Sequence, residues 1–170
     1  MESLLRGERA AYNGGMEPTP DYDDRYLAGL LFFNAGDYFE AHEVWEDLWH
    51  VATNPERRFY QGLIQTAVAL FHLGNRNVRG AVRLYHSSRD YLAPARPRFL
   101  GLDLDALFAA MATRFAPFLE AAPSQTGGQE VDSSSPPANP ELHLDPPPAH
   151  WPDPEIFLPD DEDDAEADHE

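Results

Sequence analysis

The chain has 170 residues, of which 30 are aspartate or glutamate and 12 are arginine, with no lysine, so its formal net charge is −18. This charge disfavours nucleic-acid binding, because phosphate contacts need clustered positive side chains. The lack of cysteine excludes a disulfide scaffold and thiol chemistry. No apolar run approaches the roughly 20 residues that span a bilayer. We therefore expect no nucleic-acid and no membrane partner. Since the N-terminus lacks the apolar region of a secretory signal, we also expect a cytoplasmic location.

The acidic residues and the prolines divide the chain into three predicted regions. Residues 121–170 hold 14 acidic residues, no arginine and 10 of the 16 prolines, whereas residues 1–120 sum to −4. We predict a flexible leader over residues 1–20 and a helical bundle domain over 21–122. The acidic, Pro-rich tail over 123–170 is expected to be disordered or extended, because it contains little apolar surface to bury.

Helical periodicity between breaker residues predicts an all-α fold, a compact bundle of four to five helices. Gly36 supplies a left-handed turn that ends the first helix, and Asp103 or Asp105 begins the fifth, which Pro117 should kink or end. The third helix is apolar nearly all round, which is typical of a central helix. The first four helices are predicted near residues 22–34, 38–52, 56–73 and 77–92.

Polar and aromatic side chains share one stripe of the second helix and one stripe of the third. Antiparallel packing of these two helices predicts that His42 approaches His72 and that Gln61 lies near Trp49, within about one helical turn. A candidate pocket therefore forms between the helices, and its residues are His42, Trp45, Glu46, Trp49, Gln61, Gln65, His72 and Asn75.

Three interpretations of this cluster remain open. In the first, the polar groups bond to one another and organise the bundle; in the second, they form a pocket for a small ligand or partner. In the third, His42, Glu46 and His72 hold a divalent metal with one open position, as catalytic zinc requires. Glu43 would then be the general base of a metal-dependent, hydrolase-like enzyme. Whether the protein is an enzyme stays undecided, and the Arg57–Arg58 pair receives no role from its spacing.

One segment of the tail, residues 150–159, contains large apolar side chains among acidic ones, in the sequence HWPDPEIFLP. Such a segment is predicted to dock in an apolar groove, either on the bundle or on a partner protein. The alternative is a tail that only increases solubility. Self-association into a homo-oligomer through the apolar flanks of the first and fifth helices is a further expectation.

The second and third helices also resemble a known family. The motifs are Asn34-x-Gly36, then His42-Glu43-x-Trp45-Glu46-x-x-Trp49, then Gln61-Gly62-Leu63-Ile64-Gln65, and then His72, Gly74-Asn75 and Gly80-Ala81. Together they resemble the domain-of-unknown-function 309 family, a prokaryotic group of small all-helical proteins, over about residues 27–92. The resemblance implies a helical-bundle fold and no established biochemical activity.

Overall fold

Residues 20–120 and 137–159 are described by the computed structural model, and within these ranges the chain forms an all-α bundle. The α-helices are α1 (Asp24–Ala35), α2 (Tyr38–Val51), α3 (Glu56–Gly74), α4 (Val78–Leu92) and α5 (Leu104–Leu119). The other elements are a 3-10 turn (Ala93–Ala95), an antiparallel hairpin of β1 (Arg98–Phe99) and β2 (Leu102–Asp103), and a second 3-10 turn (Pro154–Phe157). The predicted all-α bundle is confirmed. Most of the predicted leader and parts of the predicted tail, residues 123–136 and 160–170, lie outside the described residues.

The helix ends follow the local chemistry of the chain. Asp23 caps α1 by accepting a hydrogen bond from the backbone N–H of Arg25, and Gly36 ends the same helix at φ 88°, in the left-handed region that glycine tolerates. Pro117 does not end α5 at once, because the helix continues to Leu119. A proline this close to the C-terminus removes only one backbone hydrogen bond of the final turn.

Helix α3 is the centre of the bundle, as its apolar composition predicted. It packs against α2 on one side and against α4 on the other, while α1 packs on α2 and α5 packs on α4. None of the described helices combines the length and the apolar character that crossing a membrane requires.

The packing of α1 on α2 depends on a glycine. Trp45 of α2 is completely buried, and its indole Nε1 donates a hydrogen bond to the carbonyl of Tyr26 at 3.2 Å. Gly29 lies under this ring, where a Cβ atom would overlap the indole. The absence of a side chain at Gly29 therefore lets the largest core residue reach the backbone of α1.

Residues 137–159 lie against the bundle as an extended segment. Leu142 and Leu144 are only 2% and 8% exposed and belong to the hydrophobic core, and Leu144 forms a β-bridge with Leu102. Further along, Phe157 and Leu158 pack on the core, and the 3-10 turn contacts α1. The segment thus contacts the bundle both before and within residues 150–159, the part that the sequence singled out.

Two buried tyrosines make the stability of the fold depend on pH in the alkaline range. Burial raises the pKa of Tyr60 to about 12 and holds the pKa of Tyr26 well above its ordinary value of 10. Both phenols are therefore neutral in the folded protein at a pH where an unfolded chain already ionises its tyrosines. Between pH 10 and 12 the unfolded state has released protons that the folded state retains, so stability must fall as pH rises.

We expect the free energy of unfolding to decrease above pH 10 by up to ~1.4 kcal/mol per pH unit for each of these tyrosines. Tyr60→Phe should make this decrease shallower, because one of the two phenols is gone. Urea unfolding at pH 8 to 12 measures both slopes. Below pH 9 the difference between variant and parent should be constant, and equal slopes above pH 10 would contradict the assignment.

Candidate functional site

Helices α2 and α3, which carry the residues of the candidate pocket, align as the sequence predicted. At one end of the pair, the rings of Phe39 and Phe71 stand 5.6 Å apart between centroids. At the other end, Trp49 and Gln61 line the same surface depression. The start of α2 therefore meets the end of α3, which confirms the antiparallel alignment.

Trp45 does not join the polar cluster. The buried stripe of α2 runs through Ala41, Val44, Trp45 and Leu48, and the Trp45 indole bonds to α1. Glu46, the next residue, is exposed. A stripe defined only by i, i+3 and i+4 spacing thus straddles the edge of the buried face, and its members separate between core and solvent.

The two histidines make different local contacts. The Nδ1 atom of His42 bonds to the carbonyl of Phe39, and its Nε2 atom lies 3.9 Å from a carboxylate oxygen of Glu46. His72 instead pairs its Nδ1 with the side-chain amide of Asn77 at 3.4 Å, whereas Asn75 is exposed and ends α3. Both imidazoles lie at the same end of the α2–α3 pair, but each is bonded to a near neighbour in the sequence.

The predicted metal set is not assembled in the part of the chain that the structure describes. Among residues 20–120 and 137–159, no three His, Asp or Glu side chains stand close enough to hold a metal ion. His42 and Glu46 remain an i, i+4 pair, and His72 does not complete it. The reason is that α2 turns Trp45 toward α1, which leaves the His42–Glu46 pair at the edge of the α2–α3 interface. Glu43 is half-buried beside this incomplete set.

Gln65 shows that the internal network is also incomplete. Its side-chain carbonyl Oε1 is buried and has no hydrogen-bond partner among the described residues. A buried acceptor in this state costs roughly 1–3 kcal/mol. Gln65 lies one turn beyond Gln61 and two turns beyond Arg57, on a half-buried stripe of α3 that faces away from the core. The unpartnered oxygen is thus a buried acceptor on the same stripe of α3 as Arg57 and Gln61.

The structure places a different cluster at the end of this stripe, in a depression of about 280 Å³. Helices α2, α3 and α4 all contribute to it. We call it the arginine depression, and its lining residues are Trp49, Asn54, Arg57, Arg58, Gln61 and Tyr91. Two of the predicted pocket residues, Trp49 and Gln61, therefore line a real depression, in the company of residues that the prediction did not include.

Both arginines of the depression are held by aromatic rings. The guanidinium of Arg57 lies 4.1 Å from the ring centroid of Trp49, and that of Arg58 lies 5.2 Å from the ring centroid of Tyr91. Arg58 also donates a hydrogen bond to the backbone carbonyl of Asp90 at 3.0 Å. Such stacking orients a guanidinium without neutralising its charge.

A second depression, of about 390 Å³, adjoins the first and shares Arg58 and Tyr91 with it. It contains two further arginines, but these are paired: Arg96 with Asp105 at 2.5 Å, and Arg98 with Asp145 at 3.0 Å. Within the described ranges, Arg57 and Arg58 have no carboxylate at ion-pair distance. The uncompensated positive charge of this surface is thus concentrated in the arginine depression.

Sequence reasoning missed Arg57 and Arg58 because they look like an ordinary solvated pair at the start of a helix. A signal was present, since Arg57, Gln61 and Gln65 recur at intervals of four residues on one stripe. What the sequence did not show is that Tyr91, at the end of α4, closes the same depression.

The comparisons with known proteins fall on the same helices. Residues 26–84 match the family model described as Domain of unknown function (DUF309). The match confirms the resemblance that the motifs predicted. The matched residues extend from α1 into α4, so they include Trp49, Arg57, Arg58 and Gln61 of the arginine depression, and they end before Tyr91.

Two relatives match over similar lengths. The chain is 42% identical over 69 residues to "Uncharacterized protein YpuF" of Bacillus subtilis (strain 168), which covers 39% of this chain and 40% of that protein. It is 30% identical over 73 residues to an "Uncharacterized protein" of Aquifex aeolicus (strain VF5), covering 42% of this chain and 22% of that protein. The chain therefore spans less than half the length of either relative, and neither printed name states an activity.

Proposed function

We propose that this protein is a binding module whose arginine depression takes a small organic oxyanion, a carboxylate or a phosphate ester. The observation that carries the proposal is the pair Arg57 and Arg58. Each guanidinium is stacked on an aromatic ring, and neither has a carboxylate partner among the described residues. Guanidinium groups match the geometry of carboxylate and phosphate oxygens through paired N–H donors.

Local charge supports this site in spite of the acidic composition of the chain. Two fixed positive groups meet in one concave surface, where the surrounding low-dielectric atoms strengthen their attraction for an anion. Gln61 and Asn54 add amide groups that can donate to further oxygens, and Trp49 and Tyr91 offer apolar edges for the rest of a ligand. A volume of about 280 Å³ suits a metabolite-sized molecule at the lower end of ordinary ligand sites.

The experiment measures the melting temperature and the binding heat of the full chain with citrate, glucose 6-phosphate and inorganic phosphate, using glucose as the uncharged control. We expect at least one anion to bind with a Kd that Arg57→Gln with Arg58→Gln raises by roughly 100-fold or more, because the double variant loses two charge-assisted bonds worth about 1.5–3 kcal/mol each. At ten times the Kd a ligand stabilises the fold by about 1.4 kcal/mol.

The matched control replaces Arg79 and Arg83, two exposed arginines of α4, with glutamine. This pair changes the net charge by the same amount but leaves the arginine depression intact. Equal losses of binding in both double variants would mean that the effect is only long-range charge, and the proposal would be wrong. Citrate and glucose 6-phosphate separate a carboxylate site from a phosphate site.

A further inference from the structure

A second candidate site is the surface of the bundle against which residues 137–159 lie. It uses none of the residues of the arginine depression. We call it the tail groove, and the residues that contact the segment there are Tyr22, Asn34, Arg98, Gly101 and Leu102. Tyr22 lies two residues before α1, Asn34 lies in its last turn, and the others belong to the β-hairpin.

The side chain of Asn34 binds the main chain of the segment. Its side-chain Nδ2 donates to the carbonyl of Leu142 at 2.8 Å, and its Oδ1 accepts from the backbone N–H of the same residue at 2.7 Å. One carboxamide thus satisfies both backbone groups of Leu142, as a neighbouring β-strand would. Recognition of this kind depends on an extended backbone and not on the identity of the side chain.

The hairpin continues this backbone recognition. Leu144 pairs with Leu102 in an antiparallel bridge, and the N–H of Asp145 donates to the carbonyl of Gly101 at 2.9 Å. The hydroxyl of Tyr22 donates to the carbonyl of Pro146, also at 2.9 Å. The segment therefore joins the hairpin edge through a single β-bridge and flanking backbone contacts, a minimal form of the arrangement called β-augmentation.

Side-chain burial in the segment alternates with a period of two. Pro140, Leu142 and Leu144 are buried, whereas Glu141 and His143 between them are exposed. An extended chain presents alternate residues to opposite faces. The tail groove thus selects an apolar pattern, Pro-x-Leu-x-Leu, in addition to an extended backbone.

From these contacts we propose that the tail groove is a peptide-docking site for an extended Pro-x-Leu-x-Leu segment, and that its occupant in cis is exchangeable for the same segment of a second copy of this chain. The connection from Glu120 to Pro137 supports exchange. It comprises 16 residues, which span up to roughly 50 Å when extended. Exchange of an identical element between two copies conserves every contact of the closed form.

The first test cuts the connection between the bundle and the segment, so that both parts of the chain are present but are no longer covalently linked. A protease site is inserted within residues 121–136, the purified chain is cleaved, and a cleaved isotope-labelled sample is mixed with a cleaved unlabelled one. Native mass spectrometry should then show mixed pairs, each a bundle of one sample with a segment of the other. Pairs that persist without mixing would overturn the proposal, as would fragments that separate and do not recombine.

A second measurement tests the recognition itself, with a fluorescein-labelled peptide of residues 137–150 as the probe. The receiver is the full chain carrying Leu142→Asp and Leu144→Asp, whose own segment no longer fits the tail groove; circular dichroism confirms that it remains helical. We expect this receiver to bind the peptide at least tenfold more tightly than the parent chain, in which the tethered segment competes at millimolar effective concentration.

Two matched changes complete the design. Adding Asn34→Ala to the receiver should remove most of the gain, whereas a peptide with Glu141→Lys and His143→Lys should bind as well as the original, because both changed side chains face solvent. A helical receiver that does not bind the peptide, or that binds with no dependence on Asn34, would overturn the proposal. If the receiver fails to fold, the mixing experiment decides alone.

Discussion

Gly29→Ala should reduce the free energy of unfolding by about 3–5 kcal/mol, one of the two largest effects expected for this protein. The added Cβ would overlap the Trp45 indole, and this ring has no free space to occupy because it is completely buried. Overpacking of a core costs about 1–3 kcal/mol. Displacing the ring also breaks the bond from its Nε1 to the Tyr26 carbonyl, which adds roughly 1–3 kcal/mol.

Urea unfolding at 25 °C measures this loss, and Gly74→Ala is the matched control. Gly74 is also helical, but a Cβ atom there meets nothing within 4 Å. Its replacement should be neutral or stabilise the protein by up to ~1 kcal/mol, because alanine restricts the unfolded chain. Combining Gly29→Ala with Trp45→Phe should restore part of the stability, since the smaller ring relieves the overlap. Similar losses for both glycines would contradict the close contact between α1 and α2.

Leu142→Ala should cost about 2–3 kcal/mol, although this residue lies in the acidic, Pro-rich tail. Leu142 is 2% exposed and packs in the same core as the helices, so its truncation leaves a cavity. The backbone N–H of Leu142 is bonded to Asn34, and its hydrogen exchange reports whether the segment is docked. We expect this exchange to become roughly 30- to 150-fold faster in a variant that weakens docking by that amount.

Ile156→Ala is the control for this prediction. Ile156 belongs to the part of the tail that the sequence singled out, but it is 69% exposed. Its truncation should change the stability by no more than about 0.5 kcal/mol. If Leu142→Ala also changes the stability by no more than about 0.5 kcal/mol, residues 140–146 do not stabilise the bundle and act only as a solubilising tail.

The helices were predictable because residues that begin or end a helix stand at their boundaries in the sequence. Gly36 ends α1, and α3 begins directly after Pro55, so the predicted and observed boundaries agree within about two residues. The apolar composition of α3 also predicted its central position correctly. Pro117 was the exception, since the sequence does not show that a proline in the last turn of α5 leaves that turn intact.

The candidate site was harder to predict because helical spacing identifies neighbours but not direction. His42, Trp45 and Glu46 share a stripe, yet small rotations of α2 decide which of them points into the core. Trp45 packs against α1, because Gly29 leaves room for its ring there. Glu46, the next residue on α2, consequently faces solvent. The expected ligand set with His72 did not form among the described residues.

From its sequence alone this protein is a helical bundle with a DUF309-like centre and an acidic, Pro-rich C-terminal region, because periodicity, caps and composition are local properties. The arginine depression and the tail groove depend instead on residues far apart in the chain. Tyr91 of α4 contacts Arg58 of α3, and Leu142 contacts Asn34, which is 108 residues earlier in the sequence. Contacts of this kind depend on how the helices and the segment pack against one another, and the local sequence of one segment does not determine that packing.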